Sequence, residues 1–361
     1  MSTNHLEGQD GPVATTRRDR RRSAARARVR VLRLAVGVAA VGALAVAGAT
    51  VAHVATAATG GPAPRAAASA TLVKPAVPAH SAYLGAFVAP HLGEDQAQAD
   101  VRQELAQLGN FDGAIGRSLG LVHVYQPWGN PVRPSTLAAI AATGATPFID
   151  WTCTSDASVI SGNQDALITS YAQELKAYGR PVFLRWFWEM NLVNLPRTSG
   201  CLGTGGATGY IQAWQHIWTI FQNQGAANVA FVWCPSINGV AFGSAFYPGD
   251  SYVDWIGWDG YDRRGSPSAT LTQFAPFYAN WVTHGKPLVI GETAATTDQA
   301  PYLTALATAL PNSFPQVRAI LYYDSKSTLD WTLVNVPGDL GADQFAALAQ
   351  NPYFGFPFIG T

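Results

Sequence analysis

The chain has 361 residues, enough for one large domain with flanking segments, since an α/β barrel commonly runs to roughly 250 residues. Its 23 basic and 23 acidic residues cancel, but residues 1–33 hold nine Arg and three acids (Glu7, Asp10, Asp19); the remainder has 14 basic and 20 acidic residues, a balance of −6. Such a balance speaks against a phosphate-backbone ligand, so no nucleic-acid partner is expected and neutral ligands fit better.

The Arg-rich run Arg17 to Arg33 is followed by an apolar stretch, Leu34 to Ala58, and no charged residue occurs before Arg65. That is the architecture of an export signal, with its positive end kept in the cytoplasm. Ala55-Thr56-Ala57 offers a small-residue cleavage site, while the stretch is also long enough to act as an uncleaved membrane anchor. The expectation for residues 1–58 is therefore a signal peptide or anchor, and for the protein a location outside the cell or on the outer face of the cytoplasmic membrane. Residues 59–80 have the Ala/Pro-rich composition of a linker, and residues 81–361 are expected to form one folded domain beginning near Tyr83.

Within that domain, apolar β-rich runs alternate with amphipathic segments. The expected strands are Tyr83 to Ala89, Leu119 to Gln126, Thr146 to Trp151, Pro181 to Glu189, Val229 to Ser236, Val253 to Tyr261, Leu288 to Thr293 and Val317 to Asp324. The expected helices are Asp95 to Leu108, Ser135 to Ala142, Asp165 to Tyr178, Tyr210 to Gln224, Leu271 to His284 and Gln299 to Ala309. Ile237 to Tyr252, rich in Gly, Ser and Pro, shows little helical period. Strict β/α alternation implies a parallel sheet, and eight strands favour closure into a (β/α)8 TIM barrel; the first strand–helix turn has no Gly-rich phosphate fingerprint of an open dinucleotide-binding sheet.

In such a barrel the chemistry sits at the C-terminal ends of the strands. Two glutamates end expected strands, Glu189 the fourth (Arg185-Trp-Phe-Trp-Glu-Met-Asn191) and Glu292 the seventh. Strands four and seven face each other across a barrel, so the pair suits double displacement at a glycosidic bond: one carboxylate attacks the anomeric carbon while the other protonates the leaving oxygen and then activates water. Taken singly, either Glu could instead be a strand-end acid paired with an arginine such as Arg185. The pair together, crowded by Trp and Tyr, favours catalysis.

Arg185 to Asn191, Trp214-Gln-His-Ile217, Val229 to Pro235, Tyr247-Pro-Gly-Asp-Ser-Tyr-Val-Asp-Trp-Ile-Gly-Trp-Asp-Gly-Tyr261 and Glu292 resemble, in that order, the blocks of glycoside hydrolase family 26, retaining enzymes dominated by β-mannanases. The resemblance implies Glu189 as acid/base, Glu292 as nucleophile, Tyr261 as the hydroxyl that orients the nucleophile, and Trp331 as an aromatic floor for the sugar. Arg185 would place positive charge beneath the carboxylates. The implied partner is a β-linked polysaccharide, first a β-1,4-mannan, cut without a cofactor or metal by a monomer. The family has His immediately before the acid, where this chain has Trp188. Indole offers one N–H donor where imidazole can donate, accept and carry charge, so altered specificity, weaker turnover and glycan binding without cleavage stand as alternatives. Xylan or mixed-linkage glucan is the alternative substrate.

Trp128, Trp188 and Trp331 are expected cleft residues, with Asn191 and Asp150 as further sugar contacts, Asp259 as a supporting acid, and His123 as a core histidine. Trp214, Trp218 and Trp281 are expected to pack helices on the barrel. Three cysteines occur; Cys153 and Cys201, in loops expected after adjacent strands, are the candidate disulfide.

Overall fold

The structure, a computed structural model, describes residues 71–89 and 101–356. The expected signal or anchor, residues 59–70 of the expected linker, and residues 95–100 of the first expected helix lie outside the described residues. Among the described residues no helix is long and apolar enough to cross a membrane.

Eight parallel strands close into a barrel in sequential order: β1 (Tyr83–Ala89), β2 (Leu121–Gln126), β3 (Thr146–Trp151), β4 (Val182–Trp186), β5 (Val229–Trp233), β6 (Trp255–Asp259), β7 (Leu288–Thr293) and β8 (Val317–Ser325). Val, Ile, Leu and aromatic residues dominate these runs, as strands buried on both faces require. Their inward positions Tyr83, Leu121, Phe148, Phe183, Val289 and Leu321 form one buried cluster inside the barrel. The outward positions join the larger core beneath the helices.

The helices are α1 (Val101–Ile115), α2 (Pro134–Ala142), α3 (Asp156–Ile160), α4 (Asp165–Tyr178), α5 (Pro196–Leu202), α6 (Gly206–Gln224), α7 (Pro267–Trp281), α8 (Gln299–Ser313) and α9 (Gly341–Ala349). Several ends follow from local chemistry. Proline at the first turn opens α2, α5 and α7, where the missing N–H costs nothing, and left-handed Gly179 and Gly225 close α4 and α6. Trp214 and Trp281 are buried against the barrel, and the Trp214 indole N–H donates to Tyr252 O at 2.9 Å.

Three differences from the expected elements bear on function. Strands four, five and six stop short, at Trp186, Trp233 and Asp259, so Glu189 and Tyr261 stand on turns beyond the strands. The Gly-, Thr- and Ser-rich stretch expected as a loop after strand four contains a helix instead: α5 forms there and carries Cys201, which is bonded to Cys153. Ile237 to Tyr252 contains short 3-10 turns over Val240–Phe246 and Asp250–Tyr252, the first broken by left-handed residues 241–243.

Candidate active site

The barrel interior changes character along its axis. Above the apolar layer, strand register sets Tyr125 beside Asp150, Asp150 beside Arg185, and Asp259 beside Glu292. Because side chains alternate, these neighbours meet inside the barrel rather than under the helices. Arg185 is fully buried at their centre. Its Nε donates to Asp150 Oδ1 and its Nη1 to Asp259 Oδ1, each at 2.6 Å, while Nη2 donates to both Asp150 Oδ2 and Glu292 Oε1. His123 Nε2 lies 2.7 Å from Asp150 Oδ2.

One guanidinium thus faces three carboxyl groups in a dry layer, and their electrostatics diverge. Burial would raise the Asp150 carboxyl, but Arg185 and His123 outweigh it and hold the group below the usual carboxylate range. Asp259 is pushed well up by burial, only partly countered by Arg185 and raised further by Glu292. Gly291 makes the packing possible: a Cβ there would stand 2.5 Å from Arg185 Nη1 and 2.8 Å from Asp259 Oδ1. The donor atoms of His123, Asp150 and Glu292 lie within 4.8 Å of one another, as metal ligands could. Arg185 Nη2 already bridges the two carboxylates, which makes the group a hydrogen-bonded cluster.

Glu292 is the penultimate residue of β7, with its carboxylate turned to the cleft. Tyr125 Oη donates to Glu292 Oε1 at 2.8 Å, and Tyr261 Oη donates to Glu292 Oε2. Burial, reinforced by Glu292, pushes both phenols well above their ordinary value, so they remain protonated donors. With Arg185, three side chains grip one carboxylate.

Glu189 reaches the cleft through an irregular turn. Phe187 and Glu189 have φ of 45° and 54°, in the left-handed region that non-glycine residues avoid at a cost of about 1–3 kcal/mol each. Two backbone bonds hold the turn: Phe187 N–H donates to Trp151 O at 3.0 Å and Glu189 N–H to Cys234 O at 2.9 Å. Burial, then the nearby charge of Glu292, pushes the Glu189 carboxyl up to about 7, against the opposing pull of Arg197, Arg185 and Ser236. The two glutamates line one cleft of about 250 Å3, with Tyr125, Trp188, Arg197, Tyr261, Arg263, Tyr323 and Trp331.

Trp188 and Trp331 therefore line the cleft, and Trp331 packs on Tyr261 with ring centroids 4.7 Å apart. Three expected sugar contacts are not brought into it. Trp128 stacks on Trp151 at 4.1 Å, and its indole N–H is taken by Gln164 Oε1 at 2.9 Å. Asn191 is buried and committed to the loop after β5, donating to Ser236 O at 2.8 Å and accepting from Ser236 N–H at 2.9 Å. Asp150 is fully buried under Arg185, with no path to a sugar hydroxyl. Asp259 supports Arg185 rather than Tyr261, because β6 ends between them and its register with β7 shifts at Trp258/Asp259. Sequence reasoning missed Tyr125 as a partner of Glu292, although its alternation with His123 already set it facing inward. It also missed Arg197 and Arg263, for which only the folded loops supply a signal.

Residues 87–310 match the family model described as Glycosyl hydrolase family 26. The chain is 30% identical over 263 residues to Endoglucanase H of Acetivibrio thermocellus, covering 67% of this chain and 29% of that protein. It is 28% identical over 163 residues to a β-1,3-xylanase of a Vibrio species, covering 41% of this chain and 30% of that one. The chain thus spans under a third of the length of each of these relatives. Its fold resembles that of a Bacillus subtilis mannanase, with a TM-score of 0.55, 19% identity, and coverage of 75% of this chain and 85% of the other. By the family match across most of its barrel, the chain belongs to glycosyl hydrolase family 26.

Proposed function

We propose that the protein is a retaining glycoside hydrolase that cleaves a β-linked polysaccharide, with Glu292 as nucleophile and Glu189 as acid/base. One observation carries the reading: a single cleft holds a carboxyl that burial keeps protonated to about pH 7 and a second carboxyl gripped by Tyr125, Tyr261 and Arg185. Divergent environments of this kind assign two carboxyl groups to opposite roles. Glu189 donates its proton to the glycosidic oxygen as the bond breaks, while Glu292 Oε attacks the anomeric carbon and forms the glycosyl-enzyme. Glu189, now ionised, takes a proton from water, which then releases the sugar with retained configuration. Tyr261 and Tyr125 orient the nucleophile, and Trp331 offers its face to the sugar's C–H bonds.

A β-1,4-mannan is the first candidate substrate, from the resemblance of the motif blocks and the kinship of the fold. A second reading, a β-glucan or β-xylan, is favoured by Trp188 and by the names of the two relatives. Export suits an enzyme of polymers too large to enter a cell, and the Arg-rich, apolar N-terminus supports secretion or anchoring on the outer face of the cytoplasmic membrane.

The test is reducing-sugar release by the full chain on β-mannan, glucomannan, xylan and mixed-linkage glucan beside its Glu292→Ala variant. Release that disappears in the variant supports the assignment and names the polymer. Equal release by both would overturn the role of Glu292, and silence across the panel would point to glycan binding without cleavage.

A further inference from the structure

The cleft carries two guanidinium groups that bond cleavage does not use. Arg197, in the first turn of α5, lies over the ring of Trp188 with its central carbon 4.6 Å from the centroid; Arg263, after β6, lies 5.9 Å over Trp331. Both line the cleft that holds Glu189 and Glu292. Both are exposed, and among the described residues neither forms an ion pair, although the chain beyond residue 33 has an excess of acids. Resting on the glycosidase reading, we infer that the cleft takes an anionic β-glycan, with Arg197 and Arg263 binding carboxylate or sulfate groups on the sugars that flank the scissile bond.

The geometry supplies the reasons. An arginine held over an indole by cation–π attraction keeps its N–H groups available to fork onto two oxygens of one anion. The contact also restrains a long side chain beforehand, so less freedom is lost when the anion binds. Trp188 follows β4 and Trp331 follows β8, strands on opposite sides of an eight-stranded ring, so the two cations attend different sugars along a bound polymer. Arg197 is close enough to Glu189 to act on its charge, which sets it on the leaving-group side. It is also fixed there, since α5 is tied to the loop after β3 by the Cys153–Cys201 disulfide and buries the neighbouring Thr198. Tryptophan at position 188 fits this use, because an indole is a larger and uncharged platform for a guanidinium than the imidazole of the family motif. Whole-chain charge pointed to neutral ligands; the local placement of two unpaired arginines points the other way.

The test takes whichever neutral polymer the full chain cuts fastest and compares kcat/KM on that polymer with its uronate-bearing and sulfated counterparts, at low and high sodium chloride. A preference of about fivefold for the anionic polymer per arginine engaged is expected, fading as salt screens the contact. Arg197→Gln and Arg263→Gln should each lower the anionic-to-neutral ratio, and the two anionic arms tell carboxylate from sulfate. Neutral polymers cut as well as, or better than, both anionic forms overturn this inference and leave the glycosidase reading standing. Variants that lose neutral and anionic turnover in equal proportion also overturn it, since that is the mark of a merely structural role. Silence on every polymer overturns both readings.

Discussion

Replacing Glu189 by Gln probes the acid assignment through two independent readouts. The folded protein holds this carboxyl at about 7 against an ordinary 4.5, chiefly by burial. At roughly 1.4 kcal/mol per pH unit, the difference amounts to at most about 3.5 kcal/mol, less because the side chain is partly exposed. The sign follows from which form the fold disfavours. Below the unfolded value the group is protonated in both states and costs nothing; as pH rises through 4.5 towards 7 the unfolded chain ionises first, and stability falls until both are charged. Glutamine cannot ionise, so Glu189→Gln should match the wild type in urea unfolding at acid pH and exceed it at alkaline pH. In the same variant, turnover of polysaccharide should fall by about 10²–10⁴. In the wild type, kcat/KM should decline with an apparent pKa near 7, losing about tenfold between pH 6 and pH 8 as the acid form is titrated away. A stability difference independent of pH, or an alkaline limb well below about pH 6, would refute the reasoning.

Two further substitutions test the grip on Glu292. Tyr261→Phe removes one hydroxyl donor to a charged acceptor, a loss of about 1.5–3 kcal/mol, so kcat/KM should drop by about 10- to 100-fold and the unfolding free energy should fall by no more than that amount; kinetics beside urea unfolding checks both. Arg185→Lys keeps the charge but not the planar fork that joins Asp150, Asp259 and Glu292. It should therefore fail to rescue, destabilising the fold by about 3–5 kcal/mol as buried carboxyls lose their partner, measured as a lower urea midpoint.

The barrel was legible because its signals are local. A strand buried on both faces needs an uninterrupted apolar run, and Leu288-Val-Ile-Gly291 or Val229-Ala-Phe-Val-Trp233 can be little else between helical periods. The two glutamates were legible for a related reason: an acid directly after such a run must stand at the barrel's mouth. Helix α5 was not, because Pro-Arg-Thr-Ser-Gly-Cys-Leu has no helical period of its own and is held by Pro196, buried Thr198 and the Cys201 bond. Nor was the turn at Phe187 and Glu189, since a φ of 45° on phenylalanine contradicts local preference and persists only where Trp151 and Cys234 hold it.

Sequence by itself determined the alternation of strands and helices, the closure of eight strands into a barrel, and the pairing of Glu189 with Glu292 at its mouth, because hydrophobic period and strand ends are properties of neighbours in the chain. The tertiary structure decided which polar side chains meet. Asp150 and Asn191 went into the scaffold, Trp128 went to Trp151, Tyr125 went to Glu292, and Arg197 and Arg263 came over their tryptophans. Those partners are mostly separated by tens of residues, and the register and loop geometry that join them exist only once the barrel has closed.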